Sequence, residues 1–336
     1  MAVIPQAYAK PFLKWAGGKS QLLDQFEDYF PQELRNGGFE HYYEPFVGGG
    51  AVFFYLAQKY EGKLGKAHLY DINEELILAY KVLQNSIDKL IDGLSLYVER
   101  YANLDADGRQ NYFYEMRSTF NETRPTDFDT YDEATWSLRA AQLIFLNKTC
   151  FNGLFRVNKR GEFNVPFGRY KNPSIFDRAN LEKVAELLQG VEVEKLSFTD
   201  LKSKIKGKAF VYFDPPYRPI SKTANFTAYS KFDFNEQAQI GLANLIKALQ
   251  VEFPDIRLML SNSDPKNEDV EDNFFEDHYP EPQFYTNNVR ATRMINCDAT
   301  KRGHINELII TNYEPEQSAQ MNLEINGVAH LEVKTS

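Results

Sequence analysis

Apolar residues along the chain follow two periods. Short unbroken runs bounded by turn residues have the length and the aromatic and β-branched content of strands buried on both faces; the clearest is Ala209-Phe210-Val211-Tyr212-Phe213. Similar runs at 41–43, 66–70, 191–196, 256–260 and 308–313 predict further strands. Longer stretches at 22–30, 51–60, 74–90, 135–146, 178–188 and 235–249 place apolar residues at helical spacing. Strand and helix alternate up to Asp71 and again after Pro173, as in a mainly parallel sheet, whereas 73–147 is helical without strands. The expected fold class is α/β: a sheet domain formed by 1–72 and 172–314, interrupted by a mainly helical unit at 73–171. That unit ends in a predicted β-hairpin, 155–158 and 162–165 around Lys159-Arg160-Gly161. The aromatic-rich 225–232 and the acidic 264–281 read as loops, and the polar 315–336 as a poorly ordered tail.

Composition adds limits. The chain has 336 residues, 43% of them hydrophobic and 25% charged, which is enough apolar surface to bury a full core. Residues 1–10 lack a basic start followed by an apolar core, and no apolar run approaches the length of a membrane span, so a cytoplasmic protein without a membrane partner is expected. Cys150 and Cys297 make no disulfide framework and the five histidines have no zinc-like spacing, so no metal is expected. A net charge of −9 argues, by itself, against nucleic acid. Its distribution argues the other way: 148–172 carries Lys148, Arg156, Lys159, Arg160, Arg169 and Lys171 against Glu162 alone.

Asp214-Pro215-Pro216-Tyr217 directly follows the clearest strand, at the sheet edge where α/β proteins bind ligands. Two prolines stiffen the turn and remove N–H groups, leaving carbonyls free to accept. An acid, a free carbonyl and an aromatic face within four residues suit an amino group on a flat ring, such as a nucleobase. The strand-end position of Asp214 also predicts that its loss spares the core. Two glycine-rich turns precede helical patterns, Trp15-Ala16-Gly17-Gly18-Lys19 and Phe46-Val47-Gly48-Gly49-Gly50. Neither is a P-loop or a dinucleotide fingerprint. Asp71, some twenty residues past the second turn, stands where an acid binds ribose hydroxyls, which favours a ribose-bearing cofactor other than a dinucleotide.

Four motifs together, in this order, resemble the Dam-type (D12 class) DNA adenine-N6 methyltransferases: Phe12-Leu13-Lys14-Trp15-Ala16-Gly17-Gly18-Lys19, Glu44-Pro45-Phe46-Val47-Gly48-Gly49-Gly50, Phe151-Asn152-Gly153-Leu154 with the stretch 161–170, and Asp214-Pro215-Pro216-Tyr217. The resemblance implies a Rossmann-like sheet that uses S-adenosyl-L-methionine, and a target-recognition unit that binds double-stranded DNA, in a protein expected to be monomeric. It places Trp15, Lys19, Phe46, Gly48, Asp71, Asp200 and Asp214 around the cofactor, with Asp71 on the ribose and Asp200 near the adenine. Asp214, Pro215, Pro216 and Tyr217 would hold a flipped-out base. Lys14, Phe151, Asn152, Leu154, Arg156, Pro166 and Arg169 would meet DNA, with GATC the expected site and GATATC an alternative. The residues alone also fit methyl transfer to cytosine N4, an RNA base or a glutamine amide, or a DNA-binding relative without activity.

Overall fold

The computed structural model describes residues 8–218, 234–292 and 304–316. The whole aromatic-rich stretch 225–232, Cys297 and all but the start of the tail lie outside these residues. The strands are β1 (His41–Glu44), β2 (Lys66–Asp71), β3 (Glu192–Lys195), β4 (Ala209–Phe213), β5 (Arg257–Ser263), β6 (Tyr285–Thr292) and β7 (His304–Thr311). They form one seven-stranded sheet in the order β3-β2-β1-β4-β5-β7-β6. The first five pair in parallel, while β7 runs antiparallel to β5 and β6 antiparallel to β7.

Register explains why the site forms where it does. His41 pairs with Ala209 and Tyr43 with Val211, so β1 and β4 end side by side although their last members, Glu44 and Phe213, are 169 positions apart in the chain. Between these two strands the sheet order reverses direction, and the crevice at their C-terminal ends is where such folds take ligands. β4 is buried along its whole length. Phe210 and Tyr212 join the larger apolar cluster on one face, and Ala209, Val211 and Phe213 the cluster on the other, as a period of two requires.

The helices are α1 (Leu23–Phe26), α2 (Ala51–Lys59), α3 (Glu74–Asn85), α4 (Ile87–Ala102), α5 (Ala106–Glu122), α6 (Glu133–Thr149), α7 (Arg178–Leu187), α8 (Glu236–Glu252) and α9 (Phe274–His278). Caps set several of their starts. Asn73 accepts from the N–H groups of Glu75 and Leu76 to begin α3, and Asp132 does the same for Ala134 and Thr135 to begin α6. The larger apolar cluster runs without a break from the sheet into α3 to α6. A buried bidentate pair links α6 to α3: Arg139 Nη2 to Glu75 Oε1 at 2.6 Å and Nε to Glu75 Oε2 at 2.9 Å.

Four details differ from the sequence pattern. The helix expected over 74–90 breaks at Ser86, whose hydroxyl bonds the Tyr131 hydroxyl at 2.6 Å and Glu133 at 2.9 Å. The stretch 22–30 yields only one short helix and a 3-10 turn. The polar β6 was unforeseen, because an edge strand needs few apolar positions; Val289 is buried on it. The acidic stretch is not all loop: Phe274, Phe275 and Tyr279 are buried and carry α9, and Asp272 pairs with Arg218, the residue after Tyr217.

Candidate active site

The turns after β1 and β4, together with the Trp15–Lys19 loop, enclose a cavity of about 870 Å3. Polar and aromatic side chains both line it. Asp71, at the end of β2, accepts from the Gly48 N–H at 3.1 Å through one oxygen and from the Asn73 N–H at 2.9 Å through the other. The carboxylate keeps acceptor capacity for a ligand. Burial raises the Asp71 carboxyl to about 6, with the Asn73 and Gly48 N–H groups pulling it back. Gly48 has φ 47°, and a Cβ there would stand 2.9 Å from Trp15 Cδ1, so the turn can lie this close to the indole only as glycine. Phe46 stacks on Phe198 at 5.5 Å between ring centres and meets Phe234 edge-on at 5.6 Å. A flat, ribose-bearing ligand fits these groups: ring faces, a carboxylate for hydroxyls, and a glycine cradle.

Asp214 lines the same cavity from the turn after β4, with β1 between it and the strand that carries Asp71. Its Oδ1 accepts from Lys19 Nζ at 2.5 Å and from the Ser261 hydroxyl at 3.1 Å, and Ser261 is bonded in turn to the Tyr212 hydroxyl at 2.7 Å. Lys19 is 2% exposed and spends its other bonds on the Gly17 carbonyl at 2.9 Å and the Tyr217 hydroxyl at 3.3 Å. Tyr217 donates to Glu307 Oε1 on β7 at 2.7 Å. Burial pushes Asp214 above the ordinary carboxylate value against the pull of Lys19. Burial alone would lower Lys19, but Asp214, Tyr217 and Glu307 hold it above the ordinary lysine value. Pro215 and Pro216 line the cavity, and Gln239 of α8 fixes the turn by donating to the Pro216 carbonyl at 2.8 Å. Glu44 lines the same cavity, and burial raises it to about 8, with the Tyr42 hydroxyl bonded to it at 2.7 Å.

The hairpin is smaller than the pattern suggested. Among the described residues it holds one bridge, Val157 to Phe163, with the Asn164 N–H donating to the Arg156 carbonyl at 3.1 Å. A second bridge, Cys150 to Phe167, brings the remaining motif residues together. The Phe151 N–H donates to the Pro166 carbonyl at 2.8 Å and the Asn152 N–H to the Tyr170 hydroxyl at 2.9 Å, with Lys14 Nζ over the Tyr170 ring at 5.0 Å. Lys14, Phe151, Asn152, Pro166 and Arg169 are exposed, and Leu154 and Arg156 half-buried. Arg156 Nε donates to Asn164 Oδ1 at 2.8 Å, while its terminal nitrogens have no bond among the described residues. Phe155 and Phe163 are buried as hairpin core, and Phe155 stacks on Trp15 at 5.6 Å. Buried Asn147 ties the two regions together by bonding both backbone groups of Lys14, at 2.8 and 2.9 Å, and the Gly153 carbonyl at 2.9 Å.

The structure thus brings Trp15, Lys19, Phe46, Gly48, Asp71 and Asp214 to one cavity. Asp200 does not line it; it sits exposed on the 3-10 turn Phe198–Ser203, and Ser197 and Phe198 occupy the lining positions. Ser261, Glu307 and Phe234 had no local signal in the sequence. Arg290 is exposed on β6, while Arg293 and Arg302 lie outside the described residues. No group of His, Cys, Asp and Glu among the described residues suits a metal ion, and no helix there is long and apolar enough to cross a membrane.

A family model described as D12 class N6 adenine-specific DNA methyltransferase matches residues 15–295. The chain is 48% identical over 305 residues to the Type II methyltransferase M.MjaIII of Methanocaldococcus jannaschii, covering 90% of this chain and 99% of that one. It is 36% identical to a DNA adenine methylase of Serratia marcescens, covering 89% and 97%, and 35% identical to one of Escherichia coli K12, covering 76% and 81%.

Proposed function

The chain belongs to the D12 class N6 adenine-specific DNA methyltransferases, and from that premise we propose that it methylates the adenine of GATC in duplex DNA, with S-adenosyl-L-methionine as methyl donor and the target base flipped out of the helix. The observation that supports this reading is that one cavity is lined both by Asp71 and the glycine turn and by Asp214 and Tyr217. One chamber with a ribose acceptor and an amino acceptor suits a cofactor and a base brought face to face.

When bound there, S-adenosyl-L-methionine supplies an electrophilic methyl group on a positively charged sulfur. Asp71 takes the ribose hydroxyls, Trp15 and Gly48 flank the chain of the cofactor, and Phe46 and Phe198 take its adenine. Asp214 and the Pro215 carbonyl accept the two hydrogens of the target amino group. Adenine N6 is a weak nucleophile because its lone pair is delocalised into the ring. Two acceptors set off the ring plane favour a pyramidal nitrogen whose lone pair is available, and they stabilise the positive charge that grows on it. Tyr217 offers the ring face on which a flipped base stacks. No covalent enzyme intermediate is required.

Ligand hydroxyls bind the ionised form of Asp71, so cofactor affinity is expected to be full above pH about 6 and to fall as pH drops through that value. Asp71→Asn should weaken binding by about 1.5–3 kcal/mol above that pH, the worth of hydrogen bonds to a charged group, by less below it, and remove the pH dependence. Calorimetric titration of cofactor into both proteins between pH 5 and 8 checks this; equal affinities would make Asp71 a purely structural acid.

Arg156, whose terminal nitrogens have no bond among the described residues, is suited to donate to O6 and N7 of guanine. Arg156→Ala should cost roughly 1–3 kcal/mol of discrimination at the guanine, whereas Lys159→Ala, exposed at the hairpin tip, should weaken all sequences alike. Duplexes in which each base of GATC is replaced in turn, assayed for labelled methyl incorporation, test the site and both variants together. Full discrimination at guanine by the Arg156 variant would move the reading elsewhere; a requirement for bases beyond GATC would favour the longer site.

A further inference from the structure

Glu307 lies on β7, next to the parallel part of the sheet, and is 6% exposed. Its two oxygens differ. Oε1 accepts from the Tyr217 hydroxyl at 2.7 Å. Among the described residues Oε2 is buried without a hydrogen-bond partner, and the nearest cation there, Lys19 Nζ, stands 3.9 Å away. That same ammonium is 2.5 Å from Asp214. A buried lysine therefore has two carboxylates within reach, one engaged and one waiting, and the engaged one is the acceptor that the target amino group needs.

An unpartnered oxygen on a buried carboxylate is costly, and such groups persist where a partner arrives during function. The waiting oxygen faces the ammonium, so the partner is already present. From 3.9 Å, Nζ reaches hydrogen-bond distance of Oε2 by moving about 1 Å. The flexible four-carbon stem of lysine allows this without backbone change. Resting on the adenine-methylating reading above, we propose that Glu307 is a positioning residue of the transfer reaction. It receives the Lys19 ammonium when the target amino group engages Asp214, and it holds the Tyr217 hydroxyl meanwhile. Asp214 is thereby shielded by a cation while the base is absent and freed as an acceptor when the base enters. The charge of the three groups stays together throughout, with no proton gained or lost.

Shape and charge can be separated at this position. Glu307→Gln keeps the shape and loses the charge; Glu307→Asp keeps the charge and loses a methylene. Single-turnover transfer of labelled methyl from S-adenosyl-L-methionine into a GATC duplex is measured for the full chain and both variants, alongside cofactor affinity and thermal unfolding. The Gln variant is expected to slow transfer by about tenfold or more with cofactor affinity kept within about threefold, because the interaction is made when the base is engaged. The Asp variant is expected to be faster than the Gln variant. A Gln variant at the wild-type rate, or one faster than the Asp variant, overturns the proposal, since a merely structural glutamate tolerates its isostere better. If the Gln variant does not fold, the Asp variant decides: a rate within about tenfold of wild type at unchanged cofactor affinity supports the proposal, and matched losses of rate and affinity overturn it. Failure of the unaltered protein to label DNA removes the underlying reading as well, an outcome distinct from the failure of Glu307 alone.

Discussion

Asp214→Asn is expected to lower single-turnover methylation by about 100-fold or more while leaving the fold and the cofactor affinity largely intact. Asparagine has nearly the shape of aspartate, so the Ser261 hydroxyl at 3.1 Å retains an acceptor. What is lost is the negative charge beside an amino group that becomes positive as the new bond forms, worth on the order of 3 kcal/mol or more for a preorganised group. Asp214→Ala is a different experiment. The strand-end position suggested that truncation would spare the core, but Asp214 is the nearest partner of a lysine that is 2% exposed. Breaking a buried pair by removing one member costs about 3–5 kcal/mol. Denaturant unfolding should therefore separate the two variants, with alanine clearly the less stable. Activity of the Asn variant within about tenfold of wild type at saturating cofactor would exclude Asp214 as the acceptor.

Lys19→Met should be the most destabilising single change in the site. Methionine fills similar volume but leaves Asp214 and Glu307 buried without the cation that now lowers both of their pKa values. Burial already raises both carboxyls above their ordinary values, and the substitution raises them further. An acid whose folded pKa exceeds its unfolded one leaves stability intact at low pH and loses it as pH rises from the unfolded value through the folded value. The Lys19→Met defect should accordingly be modest near pH 5 and grow to about 3–5 kcal/mol by pH 8. Unfolding midpoints at the two pH values, compared with wild type, measure this. An equal loss at both would mean that the ammonium acts by packing rather than by charge. Methylation should be lost in either case, because Tyr217 and Asp214 both lose the donor that orients them.

The parts of this architecture that were legible in the sequence are those set by local physics. β4 begins and ends at the residues of its apolar run, because a strand buried on both faces has no polar position to blur its limits. Asp71 was visible because a βαβ unit fixes the distance from glycine turn to acid. Local pattern failed where the third dimension decides. Phe198, and not Asp200, reaches the cavity, since the 3-10 turn after β3 directs one residue inward and leaves the other in solvent. Ser261 and Glu307 stand 47 and 90 residues beyond the side chains they hold, on strands whose neighbours are set only by sheet order. The hairpin was overestimated because alternation predicts longer pairing than one bridge, while Phe155 serves the Trp15 loop as much as its own ribbon.

The central claim is methylation of adenine N6 within GATC, and modified-base sequencing of chromosomal DNA tests it most directly. The chain is expressed in a host without adenine methylation of its own, beside a matched culture expressing Asp214→Asn. N6-methyladenine at GATC on both strands, dependent on Asp214, is the predicted result. Methyl groups on cytosine, adenine marks at sites lacking GATC, or unmodified DNA in both cultures would contradict the account.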